Sequence, residues 1–192
     1  MDTTLPAPAS GTVQTAGFSS ELVDRFVGYL DVAPRSVGTY AQAVRRLLAY
    51  FAGKGIDLVL SPDIGAAGRA KEVGDYMGLP YDHLNKTRLS GTDVKIAPAT
   101  ADVKGKNVLI VDDMISTGGT IVAASAALKE AGASSVFVAC THGVFVNNAL
   151  ERFTGSCVES VLSCNTLNSA VSHISVAGLV ADALKDAFSG KW

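Results

Sequence analysis

The sequence predicts an α/β fold: a mostly parallel sheet flanked by helices, preceded by a small two-helix appendage. Three observations carry that expectation. Beyond Ile56, short apolar runs alternate with amphipathic segments, and regular strand–helix alternation implies parallel strands joined by right-handed crossovers. Runs such as Val108 to Val111 are apolar throughout rather than at every second position, as in strands buried on both faces. Finally, 48% hydrophobic and 18% charged residues in a 192-residue chain suit a well-buried core rather than a disordered polymer.

Residues 1–18 are small and polar, with Pro and Gly and no periodicity, and are expected to form a flexible tail. Residues 19–55 carry two helical stripes. Leu22, Val23, Phe26, Val27 and Leu30 form the first; Val37, Tyr40, Ala41, Val44, Leu47, Leu48 and Phe51 form the second. Pro34 suits the first turn of that second helix, and Gly53 and Gly55 suit its end. From residue 56 to 192 a single domain is expected. A strand over 56–61 leads to a helix over about 65–77, then to an extended stretch over 79–84. A strand over 107–113 precedes a helix over 121–131, and a strand over 134–140 precedes a helix near 147–153. A last strand over 157–164 leads to a final helix ending near Phe188.

Composition narrows the function classes. A formal net charge of −2 gives no global attraction to nucleic acid or to an anionic membrane. No apolar run approaches the length needed to cross a bilayer, and the N-terminus lacks the basic start and apolar stretch of a signal peptide. Cys140, Cys157 and Cys164 are odd in number and show neither CxxC nor metal-ligand spacing, so reduced thiols in a cytoplasmic protein are expected.

Residues 108–120, VLIVDDMISTGGT, hold the densest chemistry. Asp112 and Asp113 stand at the C-terminal edge of a buried strand, where open α/β sheets bind ligands. Ser116, Thr117, Gly118, Gly119 and Thr120 follow, offering hydroxyls and closely approachable amides to an anion at the start of a helix. Carboxylates for sugar hydroxyls or a metal, beside a cradle for phosphate, point to a phosphorylated sugar. Simple helix capping explains one such residue, but not the whole set.

A second motif, SPDIGAAGRA over 61–70, ends the first strand. Small residues there can free backbone amides, and Arg69 can fork onto phosphate oxygens. Pro-Asp-x-Gly is also a generic turn, and Arg69 can equally be a solvated helix residue. In the third, NKTRLSGTDV over 85–94, Lys86 and Arg88 alternate and share a face if extended. They suit either a charged edge strand or a mobile loop that neutralises charge during phosphoryl transfer. His142 reads as a satisfied structural histidine.

SPDIGAAGRA, KTRLSG, NVLIVDDMISTGGT, ACTHGVF and SHISVAGLVADAL occur in an order that resembles the C-terminal half of ribose-phosphate diphosphokinases (PRPP synthetases), most like the archaeal branch. The resemblance implies a sheet of phosphoribosyltransferase type, Mg²⁺ as cofactor, and transfer of the β,γ-diphosphoryl group of ATP to O1 of ribose 5-phosphate to give PRPP. It also implies a homo-oligomer. By position, Asp112, Asp113, Ser116, Thr117, Gly118, Gly119 and Thr120 would hold ribose 5-phosphate. Asp63, Ile64, Gly65 and Ala66 would form the pyrophosphate loop, with Asp63 near the metal. Lys86 and Arg88 would be catalytic cations on the family's flexible loop.

The resemblance finds no counterpart here for the family's first domain, which supplies most of the ATP site, so autonomous activity is in doubt. Residues 19–55 instead resemble the start of the core-binding domain of tyrosine recombinases, in ELVDRFVGYL and SVGTYAQAVRRLLAYFAGKGI. Arg45 and Arg46 there can touch DNA phosphates or simply face solvent, and near-neutral charge argues against DNA. Two alternatives stand beside the synthetase: a PRPP-dependent phosphoribosyltransferase, and a non-catalytic ribose-phosphate-binding remnant or regulator.

Overall fold

A computed structural model describes residues 49–90 and 93–188. The expected tail and most of the 19–55 segment, Arg45 and Arg46 included, lie outside the described residues. What is described of that segment agrees with a helix end at the predicted place. Residues 49–51 are helical, a 3-10 turn spans Ala52–Lys54, and Gly55 closes it in the left-handed region at φ +59°. Phe51 is fully buried, its ring edge-on to Phe137 at 6.0 Å, while Tyr50 stacks on His173.

The strands are β1 (Leu58–Ser61), β2 (Tyr81–Ser90), β3 (Asp93–Pro98), β4 (Asn107–Ile115), β5 (Ser135–Gly143), β6 (Val158–Cys164) and β7 (Ser172–Ile174). The helices are α1 (Ala67–Met77), α2 (Gly119–Glu130), α3 (Ala149–Thr154) and α4 (Ala177–Phe188). One seven-stranded sheet has the order β3-β2-β1-β4-β5-β6-β7, parallel throughout except for the β2–β3 pair. The predicted α/β architecture is therefore present.

Two elements depart from the expectation. The extended stretch over 79–84 continues to Ser90 and turns back as β3, an antiparallel hairpin at the sheet edge. Its apolar residues, Leu84 and Leu89 on β2 and Val94 and Ile96 on β3, are spread thinly among charged and polar ones, so no continuous apolar run marks it in sequence. β7 has three residues, too few to show a period of two.

Burial explains the continuous apolar runs. Leu58, Leu60, Val108, Ile110, Val136 and Val138 pack on one face against Ile121, Ala124 and Leu128 of α2. Val59, Leu109, Val111, Phe137 and Leu162 pack on the other against Phe51 and Ala70 of α1. Both faces of the central strands are covered, so every position along them favours an apolar side chain.

Strand order also locates the site. From β1 the chain moves outward to β2 and β3, then returns to place β4 on the other side of β1. Crossovers diverge at β1 and β4, and the crevice beyond the C-terminal ends of such a pair is where open sheets bind ligands. At the opposite end the two strands are clasped. Asn107 N donates to Asp57 Oδ2 at 2.8 Å, and its side-chain amide donates to the carbonyls of Lys54 and Gly55. Among the described residues, no helix is long and apolar enough to cross a membrane.

Candidate functional site

A cleft of about 210 Å³ opens at this switch point, between Pro62 and Asp63 beyond β1 and the Asp112 and 114–121 stretch of β4 and α2. That is below the roughly 300–1,000 Å³ of a drug-sized pocket and suits a small, largely polar ligand.

One wall is acidic. Asp112 is the more buried carboxylate, with 20% side-chain exposure against 56% for Asp113. The Asp113 amide donates to Asp112 Oδ1 at 2.8 Å, and the Met114 amide donates to Asp113 Oδ1 at 2.7 Å. Burial, then a proton shared with Asp113, pushes the Asp112 carboxyl up to about 6. Asp113 moves down, chiefly through its hydrogen bond from Asp112 and further through Arg69. Arg69, on α1, sets its guanidinium 3.8 Å from Asp112 and 3.4 Å from Asp113. Its two sequence readings did not include this pairing with the carboxylates, which holds the guanidinium, 38% exposed, over the strand ends.

The facing wall is a turn at a helix start. Gly118 caps α2 in the left-handed region at φ +73°, with no side-chain cap. The amides of residues 119–121, as at any helix start, have no acceptor within the helix. Ser116, Thr117 and Thr120 are exposed around them. The two glycines differ. A Cβ at Gly118 would lie 2.6 Å from Phe153 Cζ, whereas one at Gly119 would meet only Thr117 Oγ1 at 3.8 Å. The space over Gly119 is open, and an anion can reach the amides there.

Asp63 caps the 3-10 turn Ile64–Ala66: its Oδ1 accepts from Ala66 N at 3.1 Å, and Ser61 Oγ donates to the Asp63 carbonyl at 2.7 Å. The Ala67 amide donates to Ile64 O. Two amides that the sequence reading leaves for an anion are thus engaged in shaping the turn. Asp63 lines the cleft, Ile64 and Gly65 are exposed, and Ala66 is buried.

Of the two readings of Lys86 and Arg88, a strand or a mobile loop, the structure has the strand. Both lie on β2, paired with Ile96 and Val94 of β3, because a hairpin satisfies the backbone groups that an open loop would leave to solvent. Lys86 is exposed and lies outside the cleft lining. His142 meets its expectation: Nδ1 is 3.0 Å from Thr166 Oγ1, which donates to the Thr141 carbonyl. Sequence reasoning did not single out Pro62, Met114, Ile115 and Ile121 in the lining, apolar residues inside or beside the two motifs, nor Phe153 beneath Gly118, which is distant in the chain.

No group of three or more His, Cys, Asp or Glu side chains is arranged to hold a metal among the described residues. Asp63 and Asp112 nevertheless both face the cleft, and Mg²⁺ characteristically takes one or two carboxylates with the remainder from phosphate and water. The donor set fits that manner of binding rather than a dedicated cage.

The phosphoribosyl transferase domain family matches residues 34–177, well over half of the chain. The chain belongs to that family. The match begins inside the 19–55 segment. Ribose-phosphate pyrophosphokinase of Pyrococcus furiosus is 47% identical over 133 residues, covering 69% of this chain and 47% of that protein. The Methanopyrus kandleri protein of the same name is 40% identical over 158 residues, covering 82% of this chain and 54% of its own. The chain spans about half the length of these curated relatives. The crystal structure of phosphoribosylpyrophosphate synthetase from Mycobacterium smegmatis superposes with a TM-score of 0.66 at 32% identity, covering 77% of this chain and 49% of that one. Giardia lamblia APRTase, at 17% identity and a TM-score of 0.56, covers 73% of this chain and 82% of its own, and shares the fold alone.

Proposed function

We propose that the cleft between β1 and β4 seats ribose 5-phosphate or PRPP, and that the chain is the sugar-phosphate half of a ribose-phosphate diphosphokinase. One observation carries this reading: an acidic wall and an open glycine turn face each other across a switch-point cleft in a chain with ribose-phosphate pyrophosphokinase relatives. The 5-phosphate sits on the amides over Gly119, with Ser116, Thr117 and Thr120 adding hydroxyls. Asp112 and Asp113 accept from the ribose hydroxyls, which turns O1 toward Asp63. Arg69 must loosen its hold on the carboxylates as the sugar arrives.

In the reaction, O1 attacks the β-phosphorus of ATP and AMP leaves. Mg²⁺, when bound, neutralises phosphate charge, with Asp63 and Asp112 as its protein ligands. Lys86 and Arg88 on the hairpin are the cations that stabilise the transferring group, which requires the hairpin to approach the cleft. The match accounts for about half of the relatives' length, so this chain alone is expected to bind sugar phosphate better than it turns over ATP. Exposed Val180, Leu184 and Phe188, spaced along one side of α4, support a homo-oligomer, and the buried free thiols of Cys140 and Cys164 support a reducing, cytoplasmic setting.

Calorimetry with ribose 5-phosphate, PRPP and ATP separately, each with Mg²⁺, tests the reading. Heat with the two sugar phosphates and little with ATP is expected. Absence of heat with both sugar phosphates would remove it.

A further inference from the structure

The segment after β5 holds an unusual set of contacts with the phosphate turn. Phe145 sits in the left-handed region at φ +46°, followed by Asn147 at +54° and Asn148 at +58°. Asparagine tolerates that region; a bulky aromatic residue there is an outlier that persists only where its surroundings fix it. What fixes it is the turn itself. The amides of Val144 and Phe145 both donate to the Ile115 carbonyl, at 3.0 and 3.1 Å, and the Val146 amide donates to Ser116 O at 3.1 Å.

The side chains continue the connection. A Cβ on Gly143 would overlap the Phe145 ring, so that ring fills the space a side chain would need. Phe145 meets Phe153 of α3 edge-on, with centroids 6.4 Å apart and planes at 89°. Phe153 in turn fills the space beside Gly118, where a Cβ would lie 2.6 Å from its Cζ. Next to it, Arg152 Nη1 donates to the Thr117 carbonyl at 3.4 Å. Carbonyls 115, 116 and 117 are therefore all held from residues 144–152, and Gly118 is held by Phe153. No residue of that segment lines the cleft.

We propose that residues 143–153 are a brace for the phosphate turn, with Phe145 and Phe153 as positioning residues that set where the amides over Gly119 point. The proposal deepens the sugar-phosphate reading and rests on it. A turn held by three carbonyls and one ring presents its amides in a fixed fan, so an arriving phosphate does not have to order them. The strained φ at Phe145 is the cost of aiming one ring at Phe153 while its amide reaches Ile115. Loosening the brace should therefore weaken phosphate binding without touching a group that contacts the ligand.

Phe145→Asn tests this, because asparagine keeps the left-handed backbone and removes the ring. Affinities for ribose 5-phosphate and for inorganic phosphate are measured by calorimetry well below the melting temperature, where both proteins are folded. The expected result is a loss of about tenfold or more for both probes. Unchanged affinity with only a lower melting temperature would reduce Phe145 to a packing residue and overturn the brace. Gly143→Ala, which drives the Phe145 ring away, should give a similar loss, and the double variant should be no worse than Phe145→Asn alone. Additive losses would show two independent effects and overturn the proposal as well. Hydrogen exchange on the wild-type protein requires no variant to fold. Ribose 5-phosphate should slow exchange at the Val144, Phe145 and Val146 amides together with those of 119 and 120. Protection confined to 119 and 120 would overturn the brace alone, whereas wild-type protein that binds neither probe would remove the sugar-phosphate reading itself.

Discussion

Replacing Gly119 with valine should separate binding from folding. Gly119 is the first residue of α2, and a Cβ there meets nothing nearer than Thr117 Oγ1 at 3.8 Å. Valine is a slightly better helix former than glycine, by about 0.3 kcal/mol, so the melting temperature should stay within roughly 2 °C of wild type. Ligand binding should respond very differently. The new side chain occupies the space over the amides of 119 and 120, and a phosphate pushed from both loses two charge-assisted hydrogen bonds of about 1.5–3 kcal/mol each. The sum, about 3–6 kcal/mol, corresponds to roughly a 100- to 20,000-fold weaker Kd for ribose 5-phosphate. The neighbouring Gly118→Ala should strike the fold first and, by displacing Phe153, disturb the turn as well. It forces a left-handed alanine, at about 1–2 kcal/mol, into the Phe153 ring, at about 1–3 kcal/mol more. A drop in melting temperature on the order of 10 °C follows. Calorimetry and thermal unfolding of both variants provide the check. An unaltered Kd in Gly119→Val would refute the cradle, and a collapse of its melting temperature would refute the open space above it.

Asp112→Asn combined with Asp113→Asn should cost more ribose 5-phosphate affinity with Mg²⁺ present than without it; equal losses would mean the pair contacts only the sugar hydroxyls. The raised Asp112 carboxyl also sets a pH dependence. Its folded value of about 6 exceeds the ordinary 3.8, so the folded protein binds more protons between those values, and this group's contribution to stability falls as pH rises through that window. Asp112→Asn should therefore raise the melting temperature more at pH 7.5 than at pH 4, and a pH-independent shift would contradict the assignment. PRPP formation from ATP and ribose 5-phosphate, followed by AMP release, should be slow or absent, because misplacing one reactant by about an ångström costs on the order of 100-fold. Turnover within the usual range of roughly 1–1,000 per second, abolished by Lys86→Ala, would show a complete ATP site in this chain.

The site was legible where local pattern and chemistry coincide. Val108 to Val111 are buried on both faces, so the run is apolar throughout, and the carboxylates and glycines follow at once because the strand ends at the cleft. Arg69 was legible as a cation near the site but not as the partner of Asp112 and Asp113, since that pairing depends on how α1 lies across the strand ends. The engaged amides of Ala66 and Ala67 follow from a 3-10 turn closed by Asp63, a detail of backbone geometry that small residues alone do not specify. The apolar residues of the β2–β3 hairpin are few and interspersed with charges, and β7 is very short, so neither stands out as an apolar run. Phe153 supports Gly118 from 35 residues away, a contact that only the tertiary fold creates.

The clasp between Asn107 and residues 54–57 has a further implication for how such a protein can change. β1 and β4 are neighbours in the sheet, yet α1 and the whole hairpin lie between them in the chain. The excursion departs from one jaw of the cleft and comes home to the other, and the jaws are pinned together at their far end without its help. The base of the hairpin is anchored, by pairing with β1 and by buried Leu84, and only its outer part projects from this fixed vice. The length and cationic content of that outer part can therefore drift between descendants while the cleft between β1 and β4 keeps its shape.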